Sequence, residues 1–183
     1  KISRTTGNVI WRFGTNSINN QFTIRGDTRG FSHQHDARRL PNGNITLYDN
    51  GNCLTPQYSR AVEYQMDEVN MIATQVWEYR DNPDNFALGT GNVQRRGTGG
   101  TMICWGFAAK VTDLHPDDTK SLEITFGPGY RTYRAHRFPW SPTRFSLNPE
   151  TLDFGTVPLG DSVSITLNID NDWNQPVEID GIV

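Results

Sequence analysis

The sequence predicts an all-β fold: a partial β-propeller of two blades plus the edge of a third, followed by the opening strands of an Ig-like β-sandwich. Three observations predict it. Helical periodicity is missing, since no window of about 11 residues places apolar side chains at i, i+3, i+4 and i+7 between caps. Short β-prone runs separated by Gly, Asn, Asp and Pro stand in its place. These runs also recur as a unit, with turn glycines at Gly43 and Gly99, 56 residues apart. Hairpin units repeating at such a period point to propeller blades more readily than to a sandwich.

Taken in order, Val9-Ile10-Trp11-Arg12-Phe13 matches Val76-Trp77-Glu78-Tyr79 and reads as the last strand of an earlier unit. Leu40-Pro41-Asn42-Gly43-Asn44 is a tight turn, in which Pro presets φ and Asn-Gly supplies positive φ. It opens a strand at residues 45–48, followed by strands at 60–66 and 71–79. Side chains alternate over residues 61–66, the pattern of a strand with one buried face. The second pass has its turn at Arg96-Gly97-Thr98-Gly99-Gly100, then strands at 101–105, 110–114 and 121–126. Trp11, Trp77, Trp105 and Trp140 are expected as core anchors between blades.

After residue 140 the character changes. Ser141-Pro142 and Asn148-Pro149 punctuate a linker, and residues 162–169 form a clean period-2 run. Asn171-Asp172 turns it, and Pro176-Val177-Glu178-Ile179 starts another strand. That reads as the start of an Ig-like sandwich, which needs about 100 residues to complete, and it resembles repeats related to the ASPM/SPD-2/hydin domains. The domains expected are therefore 1–140 and 141–183. Two blades leave sheet faces uncovered, and propellers close with roughly four to eight. Together with a start lacking Met and an end inside strand-like sequence, this predicts a fragment of a larger, exported protein.

Composition excludes several classes. A net charge of -3, from 17 basic and 20 acidic residues, speaks against a phosphate-gripping nucleic-acid surface. No run approaches the roughly 18 to 20 apolar residues of a membrane span. Cys53 and Cys104 are too few for a disulfide scaffold; one bridge or two inert thiols are both open. Of the 17 basic residues, 14 are arginines, whose planar fork suits oxyanions.

The densest polar constellation is Ser32-His33-Gln34-His35-Asp36-Ala37-Arg38-Arg39. His followed by Asp allows a carboxylate to orient an imidazole and leave its other nitrogen free. In an extended segment Arg38 and Arg39 point to opposite faces, so only one could join His35, while His33 would share His35's face. An oriented imidazole beside a guanidinium suits transfer of an anionic group. His33, His35 and Asp36 as a metal site is disfavoured, because ligands so close along one strand rarely wrap a metal. His115 is expected in a solvated outer turn and His136 in a packing role.

Gln34-His35-Asp36-Ala37-Arg38, with Leu47-Tyr48-Asp49-Asn50-Gly51-Asn52, Ser59-Arg60, Gly91-Asn92-Val93-Gln94 and Tyr133-Arg134-Ala135-His136-Arg137-Phe138-Pro139-Trp140, resembles the arylsulfotransferase (ASST) family over about residues 1–140. The resemblance implies a six-bladed propeller that moves a sulfuryl group from a phenolic sulfate to a phenol. It implies a sulfohistidine intermediate, with no nucleotide sulfate donor and no cofactor. His35 is then the nucleophile or a sulfate-binding imidazole, Asp36 its orienting group, and Arg38 a sulfate contact. His33 is a further substrate-binding candidate, with a plain surface imidazole as the alternative. The second unit has Gly91-Asn92 where the first has His35-Asp36, so it brings no imidazole. The competing class is a non-catalytic propeller serving as an extracellular binding scaffold.

Overall fold

The computed structural model describes residues 1–15, 17–97, 99–139 and 146–171. The chain separates into two compact units, Lys1–Arg137 and Phe138–Val183. The first is all-β, as expected, and its described residues form nine strands: β1 (Thr23–Arg25), β2 (His35–Arg39), β3 (Ile45–Asp49), β4 (Arg60–Asp67), β5 (Ile72–Tyr79), β6 (Asn92–Arg95), β7 (Thr101–Cys104), β8 (Lys110–Leu114) and β9 (Lys120–Thr125). They form two sheets. β2-β3-β4-β5 is an antiparallel meander with β1 added parallel to β5, and β6-β7-β8-β9 is a second meander of the same plan.

Both central hairpins follow from their turns. Leu40 and Asn44 close the first, with Arg39 paired to Ile45 beyond them; Arg96 and Gly100 close the second, with Arg95 paired to Thr101. The alternation in residues 61–66 predicts one buried face for β4, yet Arg60 to Tyr64 are all buried. The strand is central in its sheet and covered on both sides. Ile45, Leu47, Val62 and Tyr64 face a cluster with Trp11, Phe22 and Phe31. Tyr48 and Ala61 face the other way, onto Val93, Ile103, Trp105 and Leu114 of the second sheet. The sheets approach closely at Gly91: its φ is +112°, and a Cβ would lie 2.5 Å from the Tyr48 ring. Tyr48 meets Trp105 edge to face with ring centroids 5.9 Å apart. Just after β5, the buried Asp81 takes Lys110 of β8 at 2.6 Å and Lys120 of β9 at 2.8 Å, one ammonium per carboxylate oxygen.

Several expectations need correction. Residues 9–13 are not a strand; the only pairing nearby is an isolated bridge, Ile2 to Val9. Trp11 and Phe13 pack their rings on the core from an irregular segment, so hydrophobic contact rather than sheet hydrogen bonding places them. Trp11 and Trp105 are buried, whereas Trp77 is only partly so. His115 is exposed in the β8–β9 turn, and His136, expected to pack, is exposed as well. In the second unit, β10 (Ser146–Asn148) pairs antiparallel with β11 (Asn168–Asp170). The alternating run 162–169 is strand only at its end, where it meets a partner. Trp140, Ser141-Pro142, Asp172 and the strand at 176–179 lie outside the described residues. Among the described residues no helix is long and apolar enough to cross a membrane.

Two checks arise here. Cys53 and Cys104 are both free thiols, one exposed and one buried. A maleimide is therefore expected to label one cysteine per native chain, at Cys53, and two after unfolding; mass analysis reads the count. The second concerns Glu68, which accepts from Lys1 Nζ at 2.7 Å, Trp11 Nε1 at 2.9 Å and the Arg39 guanidinium. The Lys1 bond foremost, then those from Trp11 and Arg39, hold its carboxyl at about 2 against a usual 4.5, although desolvation opposes the charge. A depressed carboxyl pKa stabilises above the unfolded value and loses that contribution as pH falls through the folded one. The segment around Trp11 is thus expected to loosen between about pH 4.5 and 2, read by Trp11 fluorescence, and the transition is expected to vanish in Glu68→Gln.

Candidate active site

His35 opens β2 opposite Tyr48, and Arg38 lies opposite Thr46, with a bulge between them. Asp36 sits at the bulge with φ +52°. Two residues, Asp36 and Ala37, therefore oppose one, Leu47, and this changes which side chains share a face. Tyr48 and Thr46 are two apart on a continuous strand and face the same way, so their partners His35 and Arg38 do too. Their backbones are about 7 Å apart along the sheet. Strict alternation from His35 would have presented Ala37 and Arg39 instead. The shared face is the one turned toward the second sheet.

The imidazole is held by an amide. His35 Nδ1 lies 2.7 Å from Asn50 Oδ1 and 3.1 Å from the His33 carbonyl. Asn50 is fully buried, and its Nδ2 donates to the carbonyls of Ala87 at 2.7 Å and Thr90 at 3.1 Å. Those two acceptors fix the amide's orientation, leaving Oδ1 toward His35. Only acceptors face Nδ1, so in the neutral ring the proton sits on Nδ1 and the lone pair on Nε2. Such a nitrogen can accept a proton or attack an electrophile.

Asp36 does not do the orienting expected of it. Its carboxylate accepts from Arg38 Nε at 2.7 Å and lies 3.7 Å from Arg134 Nη2. The αL conformation at the bulge turns the carboxylate to the arginines, and Asn50 takes the role assigned to Asp36. His33 also departs from expectation. Its φ of +52° breaks the extended chain, so it does not share His35's face by alternation; its Nδ1 lies 3.7 Å from Cys53 Sγ. The three side chains once considered as metal ligands diverge to Asn50, Cys53 and the arginines. Among the described residues no group of three His, Cys, Asp or Glu side chains is placed to hold a metal.

The bulge also resets the comparison between the two units. Asn92 lies opposite Cys104 and Gln94 opposite Met102, each at the register position that His35 and Arg38 hold on β3. The counterpart of His35 is thus Asn92, not Gly91. Asn92 and Gln94 grip a passing chain: each side-chain amide makes two hydrogen bonds, to the backbone of Ala135 and of Arg137, at 2.7–3.0 Å. Thr90 Oγ1 donates to the Thr132 carbonyl at 2.9 Å. Residues 132–137 are thereby laid along β6.

The arylsulfotransferase (ASST) family model matches residues 1–134. The chain belongs to the arylsulfotransferase (ASST) family. No curated protein is found to match it. The matched region takes in both sheets, His35 and its Asn50 partner, Arg38, and the run up to Arg134. Within this family member the sequence reading missed Asn50 and Arg134, and the reasons differ. Asn50 lies 15 residues from His35 and meets it only through the hairpin register. Arg134 lies far from Asp36 in sequence and approaches it only because Asn92 and Gln94 hold the backbone just after it.

Proposed function

We propose that residues 1–137 are two blades and the first strand of a third in an arylsulfotransferase β-propeller, and that the protein moves a sulfuryl group from a phenolic sulfate to a phenol through His35. The observation that carries the catalytic part is the Asn50–His35 hydrogen bond, which leaves Nε2 as the nucleophilic nitrogen. Support for the propeller comes from the two equal meanders and from the other face of β2. There Ile2, Val9, Trp11, Phe13, Ile45 and Leu47 line an apolar cleft of about 450 Å³, the kind of surface a neighbouring blade covers.

In the first half-reaction the Nε2 lone pair attacks sulfur, the sulfur–oxygen bond to the aryl group breaks, and the aryl oxide leaves with that electron pair. In the second, the oxygen of an acceptor phenol attacks sulfur, the nitrogen–sulfur bond breaks, and the phenol's proton passes to solvent. The ring is positive while sulfated, and Nδ1–H donates to Asn50 Oδ1 and the His33 carbonyl throughout. A neutral acceptor stabilises that positive charge less than a carboxylate would, so the nitrogen–sulfur bond stays labile and the transfer reversible. Arg38, on the same face, would meet the equatorial oxygens.

The test is to incubate the full-length protein with 4-nitrophenyl sulfate, quench without acceptor, and map the adduct by mass spectrometry. A sulfuryl group on His35 supports the reading. An adduct on another residue, or nitrophenol release with no adduct on this chain, sinks it.

A further inference from the structure

We infer that Arg134 is a second anion-binding arginine of the His35 site, clamped with Arg38 on the Asp36 carboxylate, and that the two guanidiniums together receive the sulfate group of the aryl sulfate. The inference rests on the sulfuryl-transfer reading for the identity of the anion, but not for the existence of the clamp.

Asp36's side chain is 4% exposed and meets one guanidinium at each oxygen, Arg38 at Oδ2 and Arg134 at Oδ1. Two positive charges on one carboxylate leave a net charge of +1, and an incoming sulfate ester monoanion restores neutrality. Both arginines keep donors to offer it. Arg38 spends Nε on Asp36 and its side chain is 46% exposed; Arg134 stands at 3.7 Å, beyond hydrogen-bond reach, and is 43% exposed.

Arg134 is also held in place from outside the clamp. The Asn92 and Gln94 amides fix the backbone at Ala135 and Arg137, Thr90 fixes it at Thr132, and the guanidinium lies over Tyr133, 5.2 Å from the ring centroid. A long side chain rooted in fixed backbone loses less freedom on meeting an anion. The clamp therefore spans the chain. Arg38 comes from β2, Arg134 from the irregular segment laid along β6, and Asp36 on the bulge draws them together on the strand that carries His35.

The experiment is a calorimetric titration of the full-length protein with inorganic sulfate, alongside steady-state kinetics on 4-nitrophenyl sulfate. Arg134→Gln is expected to weaken sulfate binding by about ten-fold or more and to raise KM by a similar factor, with kcat changing less. Arg134→Lys, which keeps the charge but not the fork, is expected to recover only part of the affinity. A wild-type protein that does not bind sulfate overturns the inference. So does an Arg134→Gln variant with wild-type affinity and KM, or one whose weakened binding is matched by lost thermal stability that Arg134→Lys fully restores. Sulfate binding that depends on Arg134 in a protein that transfers nothing upholds the clamp and removes the transfer reading. Turnover indifferent to Arg134 does the reverse.

Discussion

Replacing Arg60 with methionine is expected to destabilise the protein by about 3–5 kcal/mol, the cost of removing one partner from a buried ion pair. Arg60 is 2% exposed, at the start of β4. Its Nε donates to Asp49 at 3.1 Å, Nη2 to Asp27 at 2.8 Å and to the Gly30 carbonyl at 2.7 Å, and Nη1 to Glu78 at 2.5 Å. The side chains of Asp27 and Asp49 are 2% and 0% exposed, so neither can turn to water when the guanidinium is gone. Burial opposes the Asp27 charge, yet the Tyr64 hydroxyl and Arg60 hold its pKa below the usual value. Methionine fills a comparable volume, which separates the charge effect from a cavity. Urea unfolding should show a lower midpoint with an unchanged slope. Adding Asp27→Asn to the methionine variant should recover part of the loss, because one stranded charge is then removed. An equal midpoint for wild type and Arg60→Met would contradict this account.

The second large effect is on turnover. On the proposed reading, His35→Ala is expected to abolish sulfuryl transfer, since it removes the nucleophilic nitrogen. Asn50→Asp separates orientation from nucleophilicity and tells more. It withdraws the two donors to the Ala87 and Thr90 carbonyls and sets a carboxylate against them. Losing control of an imidazole tautomer has cost about 10⁴-fold in a serine protease triad; a loss of about 10²-fold or more is expected here. Stability should also fall, by about 1–3 kcal/mol for each carbonyl left unpaired. The discriminating readout is the pH–rate profile. A carboxylate beside Nδ1 favours the imidazolium, so the ascending limb of the profile should move to higher pH in Asn50→Asp. An unmoved limb with a lowered rate would mean that Asn50 serves only to pack the loop.

Much of the architecture can be read from residues alone. Leu40-Pro41-Asn42-Gly43-Asn44 marks its hairpin without ambiguity, and the spacing to Gly99 gives the repeat of the meander. Turn chemistry is local, so one sequence suffices to read it. The candidate site is less legible, because its geometry depends on pairings across the sheet. Nothing in Gln34-His35-Asp36-Ala37-Arg38 marks the bulge, which appears only when β2 is laid against β3. The His-Asp adjacency suggests a contact that the αL turn at Asp36 prevents. Failures in the strand readings have a related cause. Residues 9–13 and 162–167 carry strand-like patterns, but a strand needs a continuous neighbour for its backbone; among the described residues the first segment has only the Ile2–Val9 bridge and scattered backbone bonds, and the second has no strand partner. Trp11 and Phe13 show that the apolar content was read correctly and its consequence was not: the rings pack while the backbone stays irregular.

The bulge in β2 has a meaning at the level of the gene. β2 and β6 occupy matching places in two copies of one meander, and they differ in length by a single residue between matching register points. With the extra residue, β2 turns a histidine and an arginine to one face, with the bulge aspartate bound to that arginine. Without it, the same positions carry two amides that bind down the chain's own next segment. Gaining or losing one codon therefore separates a repeat whose histidine and arginine share one partly exposed face from one whose amides hold the chain's next segment. Two copies of one meander can diverge in this way without either being redesigned.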